Sequence, residues 1–186
     1  MTDNEKSIIK ACQQGDLEKF ALLYDKYIKK IYDFVYYKTT HKETAEDIVS
    51  TVFIKALKKI NGFDSQKGTF QAWLYRVARN TLIDHYRTRK MDANIEDVWD
   101  LAGDEDVERD IDARLKLEKV EKYLKKLKPE QRDIIIMRVW QNMSHLEIAE
   151  ALGKSEASVK MKYSRAITTL RQEMPLAIYI FLLLYL

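Results

Sequence analysis

Residues 144–171 show the pattern of two short helices joined by a tight turn, which restricts the fold more than any other stretch. Ser144 and Glu147 have the form of a capping box, so a helix is predicted to start at Ser144. Gly153 follows where the backbone must turn left-handed, which only glycine does without a Cβ penalty. Ser155 then predicts the cap of a second helix. Two helices around such a turn form the helix-turn-helix pattern, which is typical of DNA-binding proteins.

The polar face of the second helix is rich in hydroxyl and basic side chains: Ser158, Lys160, Lys162, Ser164, Arg165 and Arg171. The N-terminal part of the second helix of such a motif enters the major groove. Ser158 and Lys162 are therefore placed to reach base edges, and Lys160, Arg165 and Arg171 to meet phosphates. The alternative is a helical hairpin whose basic face is only solvated or docks on protein.

Helical periodicity also runs through the first half of the chain, and breakers are scarce, with 5 glycines and 2 prolines in the whole sequence. The pattern predicts a helix over residues 5–14 stopped by Gly15, a long helix capped by Asp16, a third opened by the capping box 40–43, and a fourth from about 69 to 89. A loop over residues 61–68, with two glycines, separates the last two helices.

The fourth predicted helix has an apolar stripe and a polar side. Phe70, Trp73 and Leu74 share the stripe and are predicted to lie in the core. Tyr75 falls outside this stripe and is predicted to be more exposed. Asn80 lies in mid-helix, where asparagine has a low helix propensity, and this suggests a functional role at the surface.

Charge is spread unevenly along the chain, although the formal net charge is only +3. Residues 91–112 hold ten acidic side chains and a single basic one, which leaves 19 acidic and 31 basic residues elsewhere, a net charge of +12. Two basic bodies joined by an acidic segment suggest a polyanionic partner. Lysines and arginines that merely solvate helix faces are the alternative.

Several classes of site lack support in the sequence. Cys12 is the only cysteine, so no intramolecular disulfide can form, which suits a reducing cytosol. The three histidines show no metal-ligand spacing. Neither a phosphate-cradling loop nor a nucleophile paired with a base is present, so we expect no enzyme activity, cofactor or small-molecule substrate. The N-terminus lacks signal-peptide order, and a cytoplasmic location is expected.

The predicted fold class is all-α, with two small helical domains. Residues 1–90 form the first domain, 91–113 an acidic linker, 114–174 the second domain with the helix-turn-helix, and 175–186 an apolar tail. The second domain is predicted to begin with an amphipathic helix from about Leu115 and to restart at Pro129, since proline fits the first turn of a helix.

Taken together, three ordered motifs resemble the extracytoplasmic-function group of the sigma-70 family. The segments 45–49 and 52–56, AEDIV and VFIKA, resemble region 2.2. The run 70–80, FQAWLYRVARN, with 83–84 and 86–87 after it, resembles regions 2.3 and 2.4. Residues 153–171 are similar to region 4.2, and the match spans about 20–171. Met161 and Ser164 depart from common family residues, so no particular −35 sequence is carried over.

The resemblance implies three sets of contacts. The region 2.2 residues expected to bind core RNA polymerase are Glu46, Asp47, Val49, Ser50 and Phe53. Those expected at the single-stranded −10 element are Asn61, Gly62, Phe63, Asp64, Arg76, Arg79, Asn80, Asp84 and Arg87. Those expected at the double-stranded −35 element are Ser155, Ser158, Lys160, Lys162 and Arg165. A base flipped out of the stack is expected to enter the loop over residues 61–68.

Two functional hypotheses follow. The first is a sigma factor that works only with core RNA polymerase on promoter DNA, and the resemblance leaves open an anti-sigma factor as a further partner. The second is a free-standing helix-turn-helix regulator, which would bind a palindrome by itself as a dimer. The segments around Asp47 and Asn80 favour the first, because a repressor has no need of them.

The tail over residues 175–186 carries no charge and is too short to cross a bilayer as a single helix. Three interpretations stay open. The tail packs back on the second domain, contacts an inhibitor or a membrane surface, or results from a truncated or misassigned reading frame.

Overall fold

The computed structural model describes residues 2–39, 41–89 and 123–175, and every regular element within them is helical. The helices are α1 (Asp3–Gln13), α2 (Phe20–Thr39), α3 (Lys42–Lys59), α4 (Phe70–Arg89), α5 (Pro129–Val139), α6 (His145–Leu152) and α7 (Glu156–Glu173), with 3₁₀ turns at Leu17–Lys19 and Ile60–Gly62. The all-α prediction is confirmed. The predicted linker, most of the helix predicted from Leu115, and the tail beyond Pro175 lie outside the described residues.

The chain divides into two compact units, one containing α1–α4 and the other most of α5–α7. Each is described by itself.

The start of the first unit follows the sequence pattern, with one correction. The predicted first helix is confirmed as α1, and Gly15 beyond it has a φ of +103°, a conformation that favours glycine. The prediction that Asp16 caps the long second helix is wrong. Its side chain makes no capping hydrogen bond, and the 3₁₀ turn Leu17–Lys19 intervenes before α2 starts at Phe20.

The start of α3 also differs from the predicted capping box. The helix begins at Lys42 rather than near Thr40, and His41 is its N-cap. The Nδ1 atom of His41 accepts a hydrogen bond of 3.3 Å from the backbone N–H of Thr44. An imidazole nitrogen thus supplies the acceptor that the pattern assigned to a hydroxyl, while Thr40 lies outside the described residues.

The core of the first unit is formed where α2, α3 and α4 meet. Phe70 and Leu74 are fully buried as predicted, and Trp73 is partly buried. The prediction for Tyr75 is wrong, because its side chain is 0% exposed. Its ring packs edge-on against Phe34 at 5.1 Å, and its hydroxyl donates to the carbonyl of Lys30. Burial raises the pKa of Tyr75 well above its usual value, so it acts as a neutral core residue.

A buried carboxylate attaches α1 to α2. Glu5 is 5% exposed, and its Oε1 accepts a hydrogen bond of 2.5 Å from the Tyr27 hydroxyl. Its other oxygen lies 3.3 Å from the ammonium of Lys26. A buried charge is costly unless it is paired and hydrogen-bonded, and both conditions are met here.

The second unit confirms the local signals around the helix-turn-helix. The Ser144 N–H donates to Glu147 Oε2 at 2.8 Å, and the Glu147 N–H donates to Ser144 Oγ at 3.2 Å, which is the predicted capping box. Gly153 has a φ of +65°, as predicted for the turn. The Oγ of Ser155 accepts from the Ser158 N–H at 3.2 Å and caps α7. The predicted restart at Pro129 is confirmed as the first residue of α5.

The core of this unit lies mainly between α5 and α7. Its buried members include Leu124, Leu127, Ile135, Ala166 and Leu170. The Lys128 N–H at the start of α5 donates to Gln131 Oε1 at 3.1 Å. This packing leaves the opposite side of α7 exposed.

We expect Glu5→Ala to lower the free energy of unfolding by roughly 1–3 kcal/mol, because the buried Tyr27 hydroxyl loses its acceptor and the exposed Lys26 loses its ion pair. Urea unfolding of the full chain measures this. Glu18→Ala is the matched control, since Glu18 is exposed in the 3₁₀ turn that follows α1. Equal losses in the two variants would contradict the anchoring role of Glu5.

Candidate nucleic-acid interface

The exposed face of α7 carries most of the residues predicted to contact duplex DNA. Ser158 and Arg165 are seven residues apart and therefore point the same way. Arg165 is exposed and Ser158 is partly exposed. Lys160 is exposed on another part of the helix and forms an ion pair of 2.7 Å with Glu156, one turn earlier. Such a surface pair contributes little to stability, so Lys160 stays available to another anion.

Lys162 has a different environment from the one predicted. It precedes the buried Ala166 by about one turn, so it lies at the edge of the packed face of α7. Its ammonium forms an ion pair with Glu130 of α5, and both side chains are 27% exposed. The sequence prediction missed this partner, because the two residues are 32 positions apart.

His145 packs α6 against α7 through its ring, which contacts Tyr163 at 5.0 Å in an edge-on arrangement. Its Nε2 atom is buried and has no hydrogen-bond partner among the described residues. Desolvation lowers the pKa of His145, and the nearby charges of Arg138 and Lys160 lower it further, against the effect of Glu156. We therefore treat His145 as a neutral packing residue at pH 7, a role that its position in sequence does not indicate.

The loop after α3 presents polar groups around a buried anchor. Asn61 and Gly62 are exposed in the 3₁₀ turn, whereas Phe63 is only 7% exposed. The Phe63 ring packs against Phe70 at 5.6 Å and Trp73 at 5.5 Å. Phe63 is thus a support for this loop, and its ring does not face solvent.

Asp64, the next loop residue, is exposed, and its side chain stabilises the turn that it begins. Its Oδ1 accepts from the Gln66 N–H at 2.9 Å, and its other oxygen lies 3.3 Å from the Lys67 ammonium. These interactions, the backbone hydrogen bond first, lower the pKa of Asp64. The loop therefore carries a carboxylate that is ionised at neutral pH.

One side of α4 brings together three of its predicted contact residues. Arg76, Asn80 and Arg87 are exposed and fall within about 40° of each other around the helix axis. Arg79 is partly exposed beside them. Asp84 is exposed as well, but it lies toward α3 and forms an ion pair of 3.2 Å with Lys55.

The residues of α3 predicted to bind protein divide into two groups. Glu46, Asp47 and Ser50 are exposed, whereas Val49 is 4% and Phe53 5% exposed. The two apolar residues form part of the wall of an open groove between α2 and α3, with a volume of about 580 Å³. Phe53 packs against the rings of Phe20 and Tyr24, also in this groove.

Two exposed apolar residues of this groove were missed by the sequence analysis. Tyr24 is 42% and Ile54 51% exposed. An exposed apolar strip with a polar rim is typical of a protein-binding surface. Their apolar character alone does not separate them from core residues of the same helices, so the sequence holds no local signal for their exposure.

Comparisons with known proteins agree with this arrangement. Residues 23–91 match the Sigma-70 region 2 family, and residues 117–170 match the Sigma-70, region 4 family. The chain is 31% identical over 173 residues to the ECF RNA polymerase sigma factor BldN of Streptomyces coelicolor, a match that covers 90% of this chain and 65% of BldN. It is also 31% identical over 180 residues to the ECF RNA polymerase sigma factor SigW of Bacillus subtilis, covering 91% of this chain and 96% of SigW.

The chain belongs to the ECF RNA polymerase sigma factors. A solved structure of the sigma factor RpoE from Bartonella quintana has the same fold, with a TM-score of 0.67, 23% identity, and coverage of 83% of this chain and 96% of RpoE. Because this identity is low, the likeness concerns the fold alone.

The family assignment decides between the two hypotheses that the sequence left open. A free-standing helix-turn-helix regulator does not account for the region 2 match, so that alternative is not favoured. Sigma factors are not known as enzymes. In the described ranges, no three His, Cys, Asp or Glu side chains are grouped as metal ligands, and no helix is long and apolar enough to span a membrane.

The lowered pKa of His145 predicts a pH dependence of stability in this sigma factor. Above the ordinary histidine pKa of about 6.5, the His145 imidazole is neutral in both the folded and the unfolded state. Its titration then takes nothing from the free energy of unfolding. As pH falls below it, the unfolded state takes up a proton before the folded state does, so the free energy of unfolding decreases until the lower folded pKa is passed. Urea unfolding at pH 7 and pH 5 measures the loss.

His145→Phe keeps the ring contact with Tyr163 and removes the titration, so the loss between the two pH values should be smaller in this variant. His41 and His85 are unchanged in both proteins, and the comparison therefore isolates His145. An identical loss in wild type and variant would contradict the assignment.

Proposed function

We propose that this sigma factor binds core RNA polymerase and directs it to promoters through two separate DNA contacts. The carrying observation is that both sigma regions occur in order, each on a helical unit with an exposed face of basic and polar residues. The proposed domains are residues 1–90 and 114–174, joined by the acidic segment 91–113. The proposed site of action is the cytoplasm, where core polymerase is found.

The proposed core-binding surface combines the exposed carboxylates of α3 with the neighbouring apolar groove. Asp47 and Glu46 supply charge and Ser50 a hydroxyl, while Tyr24 and Ile54 supply exposed apolar area. Apolar contacts at the centre with charged groups at the rim are the usual anatomy of a protein interface. Val49 and Phe53 are proposed to shape this surface and not to form its exposed area, since they form the buried wall of the groove.

The proposed −10 contact is made by α4 and the loop before it. The exposed face with Arg76, Asn80 and Arg87 offers two cations for the phosphate backbone and one amide for base edges. Arg79 adds a partly exposed cation. Asn61, Gly62 and Asp64 are proposed to receive an unstacked base, with Phe63 holding the loop from below. For Asp84 we propose that it supports the −10 contact without binding DNA itself, because its carboxylate is paired with Lys55.

The proposed −35 contact is made by the N-terminal half of α7 in the major groove. Ser155 and Ser158 lie at the start of the helix, where side chains reach base edges, and Lys160 and Arg165 are proposed to meet phosphates. Lys162 contributes less than the sequence suggested, since its ammonium must leave Glu130 to reach DNA.

An anti-sigma factor is proposed as a further partner. The solved structure of RpoE from Bartonella quintana is a complex with the anti-sigma factor NepR. An apolar groove on the surface that binds core polymerase would allow an inhibitor to compete directly for it.

Run-off transcription with core polymerase tests the −35 proposal. We expect Arg165→Ala to lower −35-dependent initiation by about tenfold, within the roughly 1–3 kcal/mol typical of a lost DNA contact. Lys162→Ala should lower it less, because of the pair with Glu130. Lys10→Ala is the control, since it removes an exposed cation from α1.

Competition with a labelled sigma factor for core polymerase must be unchanged in the Arg165 variant. Loss of core binding there would contradict the proposed division between the two units. Tight binding of the free protein to a palindromic duplex would contradict the sigma-factor proposal as a whole.

The same competition experiment tests the core-binding surface. We expect Asp47→Ala to weaken binding to core polymerase by about five- to tenfold, since an interface charge contributes on the order of 1 kcal/mol or more. Glu43→Ala is the matched control, because Glu43 is an exposed carboxylate in the first turn of the same helix. Equal competition by wild type and Asp47→Ala would show that Asp47 is only a solvated carboxylate.

A further inference from the structure

Gln13, the last residue of α1, connects this helix to the loop proposed to contact the −10 element. Its Nε2 donates hydrogen bonds to the carbonyl of Ile60 at 3.0 Å and to the carbonyl of Phe63 at 2.8 Å. These carbonyls belong to the first residue of the 3₁₀ turn Ile60–Gly62 and to the residue directly after it. Asn61 and Gly62 therefore lie between the two points that Gln13 holds.

The chemistry of the side-chain amide suits this bridge. An amide nitrogen has two N–H groups, and here each has one carbonyl acceptor, so the orientation of the amide is determined. The Ile60 carbonyl also accepts from the Phe63 N–H at 3.0 Å, which closes the turn. Two such hydrogen bonds to carbonyls three residues apart restrict this short turn more than one of them would.

The loop is thus held from two sides. Gln13 holds its backbone carbonyls, and Phe63 anchors its side chain against Phe70 and Trp73. The groups left on the outside are Asn61, Gly62 and Asp64, which are exposed. A loop held in one conformation binds a ligand without an ordering cost, and it distinguishes ligands more sharply.

We propose that Gln13 is a positioning residue for base selection by the loop at residues 61–64. The inference rests on the proposed function of that loop at the −10 element. It goes beyond the family match, because α1 precedes residues 23–91, which match region 2. The bound group is an unstacked base of single-stranded DNA, and Gln13 acts on it only through the loop backbone.

The clamp itself is tested by hydrogen exchange on the full chain without DNA. Gln13→Glu keeps the size of the side chain but replaces the two donors with a carboxylate, which repels the carbonyls. Gln14→Glu introduces the same charge at the exposed next residue and is the matched control. We expect the amide of Phe63 to exchange faster in Gln13→Glu, and at the wild-type rate in Gln14→Glu.

The functional consequence is tested by run-off transcription with core polymerase. The template is a promoter selected by the wild-type holoenzyme from a randomised library, with all four bases placed in turn at each −10 position. We expect Gln13→Glu and Gln13→Ala to lose about five- to tenfold of the base preference at one −10 position, within the usual cost of a mismatched base. Preference at the −35 element and competition for core polymerase should not change.

Asn61→Ala, measured on the same templates, separates two kinds of failure. If this variant keeps the wild-type −10 preference, the proposed function of the loop is wrong. If Asn61→Ala alters the preference and the Gln13 variants do not, the positioning role of Gln13 is wrong. A parallel loss of −35 preference or core binding in the Gln13 variants would also overturn it, because it would show a general effect on folding.

Discussion

The contact between α2 and α4 determines which side of α4 faces the solvent, and so the direction of the −10 contact residues proposed on that helix. Phe34, Phe70 and Tyr75 are fully buried there, so the helix faces that carry them are directed inward. Burial of large aromatic side chains is the strongest term that holds such helices together. Because α4 presents this face to the core, Arg76 and Asn80 are left at the surface.

The same dependence operates in the second unit, where α7 packs on α5. Ala166 and Leu170 are buried against α5, so Arg165 and Ser158 point outward. Lys162 lies at the boundary between the two faces and pairs with Glu130. The Lys162 ammonium can either stay paired with Glu130 or contact DNA. The free-energy difference between these two states determines how much Lys162 adds to DNA affinity.

The two units differ in whether local or distant residues fix their loops and helix ends. In the helix-turn-helix, the cap at Ser144 and the turn at Gly153 use partners within a few residues. In the first unit, Glu5 and Gln13 hold neighbours through side chains that reach another element. The conformation of the proposed −10 loop therefore depends on tertiary contacts, whereas the cap and the turn of the helix-turn-helix form from neighbouring residues.

The sequence alone determined the helical class, the cap at Ser144, the turn at Gly153 and the start of α5, because caps and turns depend on neighbouring residues. It also identified the family, through motifs in a particular order. Only the tertiary structure decided that Tyr75 is buried, that Lys162 is paired and that Gln13 reaches the loop. The partners in these contacts are 45, 32 and 47 residues apart, so no local pattern contains them. The apolar faces were predictable from periodicity, but which neighbour covers each face depends on how the helices pack.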